Sequence, residues 1–501
     1  MTARLAPAAQ ARVEQPVSLT LLARVFSFPT MLAAGLTFLV FWACAPRFDD
    51  PDLWWNLKVG ETIWNTHRIP AADSFSFTAA GHPWIAHEWL SQWVLYAVYH
   101  AGGYPALMLW LCAVASAIVV LTYVLCGLWS ENWKVALVGG IAACFFLTVS
   151  LSLRPLLLGH LFLVTELLIL YYGVVRKSRL IWALPVLLVV WANCHGSFPL
   201  GIAIAGCAGL AACVDVSGAR FRLRCERALS IRFASVVLLC AAAPFVNPVG
   251  PQLAFYPFNV LTAQPDNVGS VAEWAPLDWQ DPRGVAVLAV FGLVAWRTSV
   301  ARRALHIFEW AALLTSAAMA VRHTRMLPIF GFVAAPIICR QLAGYWDRYD
   351  ARRDLPWANG ALIAIAMACC AAVFPDAKDI DQQIAAKKPV AALSYLRQAG
   401  LTGRMLNDYE WGGYLMWANP SQPVFIDGRA DIYAWTGVLR EYGRWALLEE
   451  DPAYLLDRYK IEICLIKVSS PMAQALPHLT QWRRVFSDQQ SVIFTRSLRV
   501  D

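Results

Sequence analysis

The sequence predicts a polytopic α-helical membrane protein, with about eleven transmembrane helices, that carries a C-terminal extracytoplasmic α/β domain. Three observations predict it. Of 501 residues 58% are hydrophobic and only 15% charged, whereas a soluble domain has about 25% charged residues. Apolar stretches of membrane-crossing length follow one another up to about residue 374; in hydrocarbon they must be helices, because a helix satisfies its own backbone hydrogen bonds. Beyond residue 374 the pattern changes to short strand-like and helix-like runs.

The apolar stretches lie near 28–45, 104–127, 134–152, 156–175, 180–194, 197–214, 233–246, 284–296, 305–321, 326–342 and 357–374. The first lacks a small-residue cleavage site and runs straight into "APRFDDPD", so it reads as a retained span rather than a signal peptide.

Lys and Arg set the orientation. They recur in alternate connections: Arg4, Arg12 and Arg24; Lys134; Arg176, Lys177 and Arg179; "RFRLRCERALSIR"; Arg297, Arg302 and Arg303; then Arg340, Arg348, Arg352 and Arg353. The positive-inside rule places these on the cytoplasmic side. The two longest intervening connections are acidic, with Asp49, Asp50, Asp52, Glu61, Asp73 and Glu88 in 46–90, and Asp266, Glu273, Asp278 and Asp281 in 247–283. They belong outside, as does the tail if the span count is odd. The net charge of +7 is then an orientation signal, with no pull toward nucleic acid. The expected setting is a bacterial cytoplasmic membrane, with the N-terminus inside.

Of 13 Cys nearly all lie in or beside apolar spans, where Cys behaves as a small hydrophobe, and only Cys464 lies in the tail. No CxxC or HExxH occurs to suggest a structural zinc or a metalloprotease. Two domains are expected: 1–374, with a large outer loop 46–103, and 375–501. In the tail "KKPVAALSYLRQAG" and "DPAYLLDRY" read as helices. "PVFID", "IEICLIKV", "WRRVFSD" and "SVIFTR" read as strands, the last two forming a hairpin that turns near Asp488 and Gln489. "PDAKDIDQQIAAKK", 375–388, reads as a linker.

The outer loop holds the densest chemistry. "DDPDLWWNLKVGE" sets Asp49, Asp50 and Asp52 beside Trp54 and Trp55, directly after the first span; His87 and Glu88 follow in "WIAHEWL". "SQWVLYAVYHAGG" is too short to span and fits an interfacial helix. Each acid alone would also serve as a helix cap, Asp52 for a helix starting at Leu53. As a cluster at the bilayer edge they suit general-base catalysis. Asp50, before Pro51, is held extended and expected to face the cavity as base, with Asp52 orienting the acceptor or a cation, and the two tryptophans anchoring the loop at the headgroups.

A first span ending in acids, a long outer loop with an interfacial helix, some ten further spans and an extracytoplasmic α/β tail together resemble the GT-C superfamily of polytopic glycosyltransferases. That superfamily includes the oligosaccharyltransferase catalytic subunit, the protein O-mannosyltransferases and the aminoarabinose and arabinofuranosyl transferases. The resemblance implies a polyprenyl-phosphate-linked sugar donor, a glycan, lipid or protein acceptor, and an essential Asp in the first outer loop, carried here to Asp50 or Asp52. "DxD" in the later outer loops, common where the superfamily binds a metal, is missing, which leaves open whether a divalent cation takes part.

A lipid phosphate at the bilayer edge calls for cations at outer span ends. The few there are Arg154 in "SLRPLL" and Arg322, His323 and Arg325 in "VRHTRMLP"; the Arg fork matches phosphate oxygens, although such residues also snorkel to headgroups. His195 in "WANCHGSF" falls at another outer turn. In the tail, Asp427 and Arg429 of "FIDGRADIY" follow an apolar run, and Gly412 and Gly413 of "NDYEWGGYLMW" permit close backbone approach; both motifs are candidates for acceptor binding and equally for plain turns. The competing classes are a transporter or flippase, which would show inverted repeats and charges in mid-membrane where only Glu166 and Glu309 stand out, and a non-catalytic envelope-assembly protein.

The topology is testable. An impermeant thiol reagent applied from outside should label Ser74→Cys in the loop and Ser421→Cys in the tail alike. Labelling of the two from opposite sides would defeat the orientation.

Overall fold

Helices lie on all eleven predicted stretches in the computed structural model, which describes residues 24–48, 50–217, 220–223, 227–263, 274–300, 305 and 307–497. Among the described residues, six helical segments are long and apolar enough to cross a membrane: Trp89–Ser130, Trp133–Ser150, Pro155–Val175, Pro282–Val300, Thr324–Tyr345 and Pro356–Val373. Four more are apolar but shorter: Phe28–Cys44, Arg179–Cys194, Phe198–Ala212 and Ile231–Phe245. Ile307–Arg322 is in neither group, and its Glu309 pairs with Arg340 on the next helix. Several membrane-spanning helices are therefore present; length and composition do not establish the number eleven.

Local chemistry sets the ends of these helices. Ser27 accepts from the Thr30 N–H at the start of Phe28–Cys44, and proline occupies the first turn of Pro155–Leu170 and Pro356–Val373, where a missing N–H costs nothing. The interfacial helix and the second span run on as one 42-residue element broken at Gly102 and Gly103, the latter at φ 65°, ψ −152°, a region open essentially to glycine. The helix thus breaks at the "AGG" that ends the short apolar stretch.

A short antiparallel hairpin, β1 (Val214–Ser217) and β2 (Arg220–Leu223), sits between two apolar helices. The tail sheet comprises β3 (Met405–Asn407), β4 (Ile463–Lys467), β5 (Trp482–Ser487) and β6 (Ser491–Arg496) in the order β3-β4-β6-β5, parallel only between β3 and β4. The hairpin turn lies at Asp488–Gln490 as the sequence suggests, with Asp488 Oδ1 accepting the N–H groups of Gln490 and Ser491.

Two expectations for the tail need correction. The expected linker contains a helix, Ala377–Ala385, closed at its start by a reciprocal Asp376–Asp379 capping box. It buries Ile380 and Ile384, while Gln383 accepts from the Phe48 N–H at 2.9 Å and donates to the Ala45 carbonyl at 3.0 Å, which docks the helix on the end of the first span. "PVFID" is extended but lies outside the sheet. Its Val424 pairs with the outer loop, exchanging hydrogen bonds with the Phe75 carbonyl and the Phe77 N–H, both at 3.1 Å. Loop and tail therefore interlock through backbone pairing.

Close approach at glycine also packs the tail against itself, where its helix meets the run leading to Asp427. Helix Tyr409–Ala418 packs across helix Leu53–Thr66, and a Cβ on Gly412 would lie 2.0 Å from the Ile426 carbonyl oxygen and 2.6 Å from the Asp427 Cα. Backbone cannot yield as a side-chain tip can. Gly412→Ala should therefore destabilise the protein by about 1–3 kcal/mol, read as a lowered Tm in detergent; an unchanged Tm would show the contact to be loose.

Candidate functional site

The acidic cluster is organised by one arginine. Asp50 is buried, its Oδ1 accepting the Asp52 N–H at 2.8 Å and its Oδ2 lying 2.6 Å from Arg154 Nε. The same Nε is 3.3 Å from Asp52 Oδ2, and Asp52 Oδ1 accepts from Trp55 Nε1 at 3.1 Å. Asp49 lies outside the described residues.

This alters three expectations. Asp52 precedes helix Leu53–Thr66, but its side chain makes no cap hydrogen bond. Trp54 and Trp55 are buried in protein rather than set among headgroups: Trp54 packs edge-on against Tyr104 and Tyr414 at 5.7 and 5.0 Å, and Trp55 holds Asp52. Asp52, and not Asp50, faces the cavity. The physical reason is that Asp50 spends one oxygen on its own turn and the other on Arg154.

That cavity, of about 680 Å³, is bounded by the loop that follows the first apolar helix, the ends of further apolar helices and the tail. Asp52, Glu88, Arg154, His195, Arg325 and Asp431 all line it. Glu88 heads helix Trp89–Ser130, its Oε1 lying 3.5 Å from His195 Nε2 and 3.7 Å from His87 Nε2. The Ser197 N–H donates to His195 Nδ1 at 3.1 Å, so the imidazole proton is assigned to Nε2, facing Glu88. Burial pushes the Glu88 carboxyl up to about 8, with the charges of Asp52 and Asp431 adding to it against Arg325 and Arg154. Burial lowers both His87 and His195, the latter further because Arg325 is near. At neutral pH Glu88 is thus a neutral acid between neutral imidazoles. His87 also stacks on Tyr256 at 4.1 Å, and the Tyr256 hydroxyl donates to Asp431 Oδ2 at 2.7 Å.

The tail motif "FIDGRADIY" reaches this wall through a buried ion pair. Arg429 Nη1 is 2.7 Å from Asp73 of the outer loop, while its Nε and Nη2 fork onto Asp427 at 2.8 and 2.7 Å. The Tyr433 hydroxyl donates to Asp427 at 2.6 Å, and the rings of Phe75 and Trp84 flank the guanidinium at 5.1 and 4.9 Å. Burial by itself would raise the Asp427 carboxyl, but Arg429 and the hydrogen bonds from Arg429 and Tyr433 hold it below the usual carboxylate range.

The structure divides the other predicted cations. Arg325 lines the cavity with its guanidinium 4.6 Å from the Trp274 ring. Arg322 is exposed, and neither it nor His323 is among the lining residues; His323 is hydrogen-bonded through Nδ1 to the Trp274 carbonyl at 2.7 Å and so braces the residue that Arg325 stacks on. Sequence reasoning missed Asp73, Tyr256 and Asp431. Asp73 and Asp431 were visible as acids, but nothing signals a contact across 175 residues such as Tyr256–Asp431. For a divalent cation the fit is poor: among the described residues no group of three or more His, Cys, Asp or Glu side chains converges on one point, and Arg154 already bridges the two acids.

Apolar helices that end at a cavity, closed over by an interlocked loop and α/β tail, form a fold that has counterparts among solved structures. In particular, the chain is similar to solved structures of the oligosaccharyltransferase AglB from Archaeoglobus fulgidus. With the enzyme in complex with an inhibitory peptide and a dolichol-phosphate, the TM-score is 0.55 at 11% identity, over 87% of this chain and 69% of that one. For the enzyme tethered to an acceptor peptide containing the NVT sequon the values are 0.56 and 10%, over 95% and 75%; for the apo form they are 0.52 and 12%, over 93% and 75%. No protein-family model and no curated protein matches the sequence. At such identities the likeness is one of fold.

Two measurements follow. Between pH 4.5, the ordinary value, and about 8 the folded state holds a proton on Glu88 that the unfolded state has released, so Glu88 makes stability fall as pH rises through that window. Glu88→Gln should flatten the decline in Tm over this range, and a parallel wild-type profile would contradict the assignment. Arg429→Met strands two buried carboxylates and should cost about 3–5 kcal/mol, with protease cleavage appearing in residues 68–86; a variant as resistant as wild type would show that loop and tail hold without the pair.

Proposed function

We propose that the chain is a membrane glycosyltransferase that moves a sugar from a polyprenyl-phosphate-linked donor to a glycan, lipid or protein acceptor on the outer face of a bacterial cytoplasmic membrane. The observation that carries this reading is that Asp52 and Arg325 line one cavity at the outer ends of the helices, where a lipid phosphate would sit. The fold likeness supports it, since the matched AglB structures hold a dolichol-phosphate in one case and an acceptor peptide in another. The Lys and Arg asymmetry supports the outer location. In this reading 1–374 is the transferase domain and 375–501 the extracytoplasmic domain that closes it.

The chemistry assigns one task to each group. The acceptor hydroxyl or amide attacks the anomeric carbon and gives its proton to the cavity-facing carboxylate of Asp52. The bond from that carbon to the phosphate oxygen breaks with its electron pair going to the phosphate, whose charge the Arg325 fork stabilises. Asp50 positions Asp52 through the hydrogen bond from the Asp52 N–H to its own Oδ1. Glu88, His87, His195 and the Tyr256–Asp431 pair form the opposite polar wall, suited to sugar or acceptor hydroxyls. Arg429 and Asp427 hold the tail in place, and Arg322 and His323 support the Arg325 turn from outside the cavity.

Mass spectrometry of envelope glycans and glycoproteins from a deletion strain should identify the sugar. In a transfer assay with that donor, Asp52→Asn should lower the rate by about 100- to 10,000-fold with the fold intact, as loss of a general base does; Asp50→Asn should lower it less. Wild-type turnover in both would remove the enzymatic reading. Arg325→Lys keeps the charge but loses the fork, so donor KM should rise; an unchanged KM would detach Arg325 from the phosphate.

A further inference from the structure

The two acids of the first outer loop lie within hydrogen-bonding or ion-pairing reach of a single nitrogen. Two carboxylates so close repel unless a proton, a metal ion or a cationic side chain lies between them. Here the third solution is built in. Arg154 Nε is 2.6 Å from Asp50 Oδ2 and 3.3 Å from Asp52 Oδ2, and those are the oxygens a divalent ion bridging the pair would need at about 2.0–2.6 Å.

The backbone presents Arg154 for this role. It precedes Pro155, which biases it to the extended conformation it adopts at φ −113°, ψ 153°, and it stands at the head of helix Pro155–Leu170, whose N-terminal dipole adds positive potential toward the acids. The other acids of the cavity are occupied elsewhere. Glu88 lies against His195 and His87, Asp431 accepts from Tyr256, and Glu410 pairs with Lys467. A cation entering beside Asp52 would therefore find too few ligands and a fixed positive charge in its place.

We propose that Arg154 is a resident cation: its guanidinium holds Asp50 and Asp52 in the arrangement a divalent metal would otherwise impose, so that the site neither needs nor admits one. The proposal rests on the transferase reading for its meaning, but its test reads metal binding rather than transfer. Purified full-length protein is titrated with Mn²⁺ by electron paramagnetic resonance and melted with Mn²⁺ or EDTA. Wild type should show no Asp52-dependent Mn²⁺ binding, and its Tm should be the same in EDTA. Arg154→Ala frees both carboxylates and removes the like charge, so it should bind one Mn²⁺ at least about 100-fold more tightly than wild type, with a matching rise in Tm. Both gains should vanish in the Arg154→Ala, Asp52→Asn double variant, while Arg154→Lys, which keeps the charge, should bind no Mn²⁺. Arg154→Gln replaces the alanine variant if that does not fold. Stoichiometric, Asp52-dependent Mn²⁺ binding by wild type overturns the proposal, as does a folded neutral variant that gains none. Should neither neutral variant fold, the wild-type arm decides alone. A protein that transfers no sugar yet responds to Mn²⁺ in this way would refute the transferase reading and leave this one standing.

Discussion

The site depends on a guanidinium that is wholly out of water. Arg429 stays charged in that environment only because Asp427 of the tail and Asp73 of the outer loop meet it from two sides, with the Phe75 and Trp84 rings over it. Asp73 is fixed in turn by Ser76, whose N–H and hydroxyl both donate to its Oδ2. Removing Arg429 leaves two buried carboxylates without their cation, so this one side chain couples the loop to the tail. The same junction holds the backbone pairing at Val424, the close approach of Gly413 to Pro51 and Trp55, and a cavity whose walls come from segments hundreds of residues apart.

Within the cavity, like residue types are given unlike states by their surroundings. Asp50 and Asp52 share Arg154, while Glu88, buried with other acids nearby and flanked by neutral imidazoles, keeps its proton near neutrality. A neutral acid donates a hydrogen bond and a carboxylate accepts a proton, so one cavity can both grip hydroxyls and deprotonate one. Gly428 ties this to the tail: a Cβ there would lie 2.3 Å from Asp52 Oδ1 and 2.8 Å from Trp55 Nε1, so the tail backbone presses on the side chain proposed as base.

Much of this was legible along the chain. The apolar helices, the helical nature of the short apolar stretch before Gly102, the tail hairpin and the concentration of chemistry in "DDPD", "HE" and "VRHTR" all rest on composition and short-range pattern. The misreadings share a cause. Trp54 and Trp55 look like headgroup anchors when only their neighbours in sequence are considered, and "PVFID" has strand composition; both are governed by partners in distant segments, Tyr104 and Tyr414 in one case and Phe75 in the other. Residues 375–388 look like a linker because their apolar content is low, yet Ile380 and Ile384, one helical turn apart, are enough to dock a helix.

What the sequence by itself determined is the solvent of each segment. Apolar runs must be helical in lipid, Lys and Arg bias which ends face inward, and acids placed directly after a span must lie at the bilayer edge. Which acid faces the cavity, which arginine bridges the acids and which lines the cavity beside Trp274, and which buried charge couples loop to tail were decided only by tertiary structure. The reason is range: hydrophobic periodicity and charge bias act within tens of residues, whereas Asp50–Arg154, Tyr256–Asp431 and Asp73–Arg429 are made between segments that the fold alone brings within ion-pair and hydrogen-bond distance.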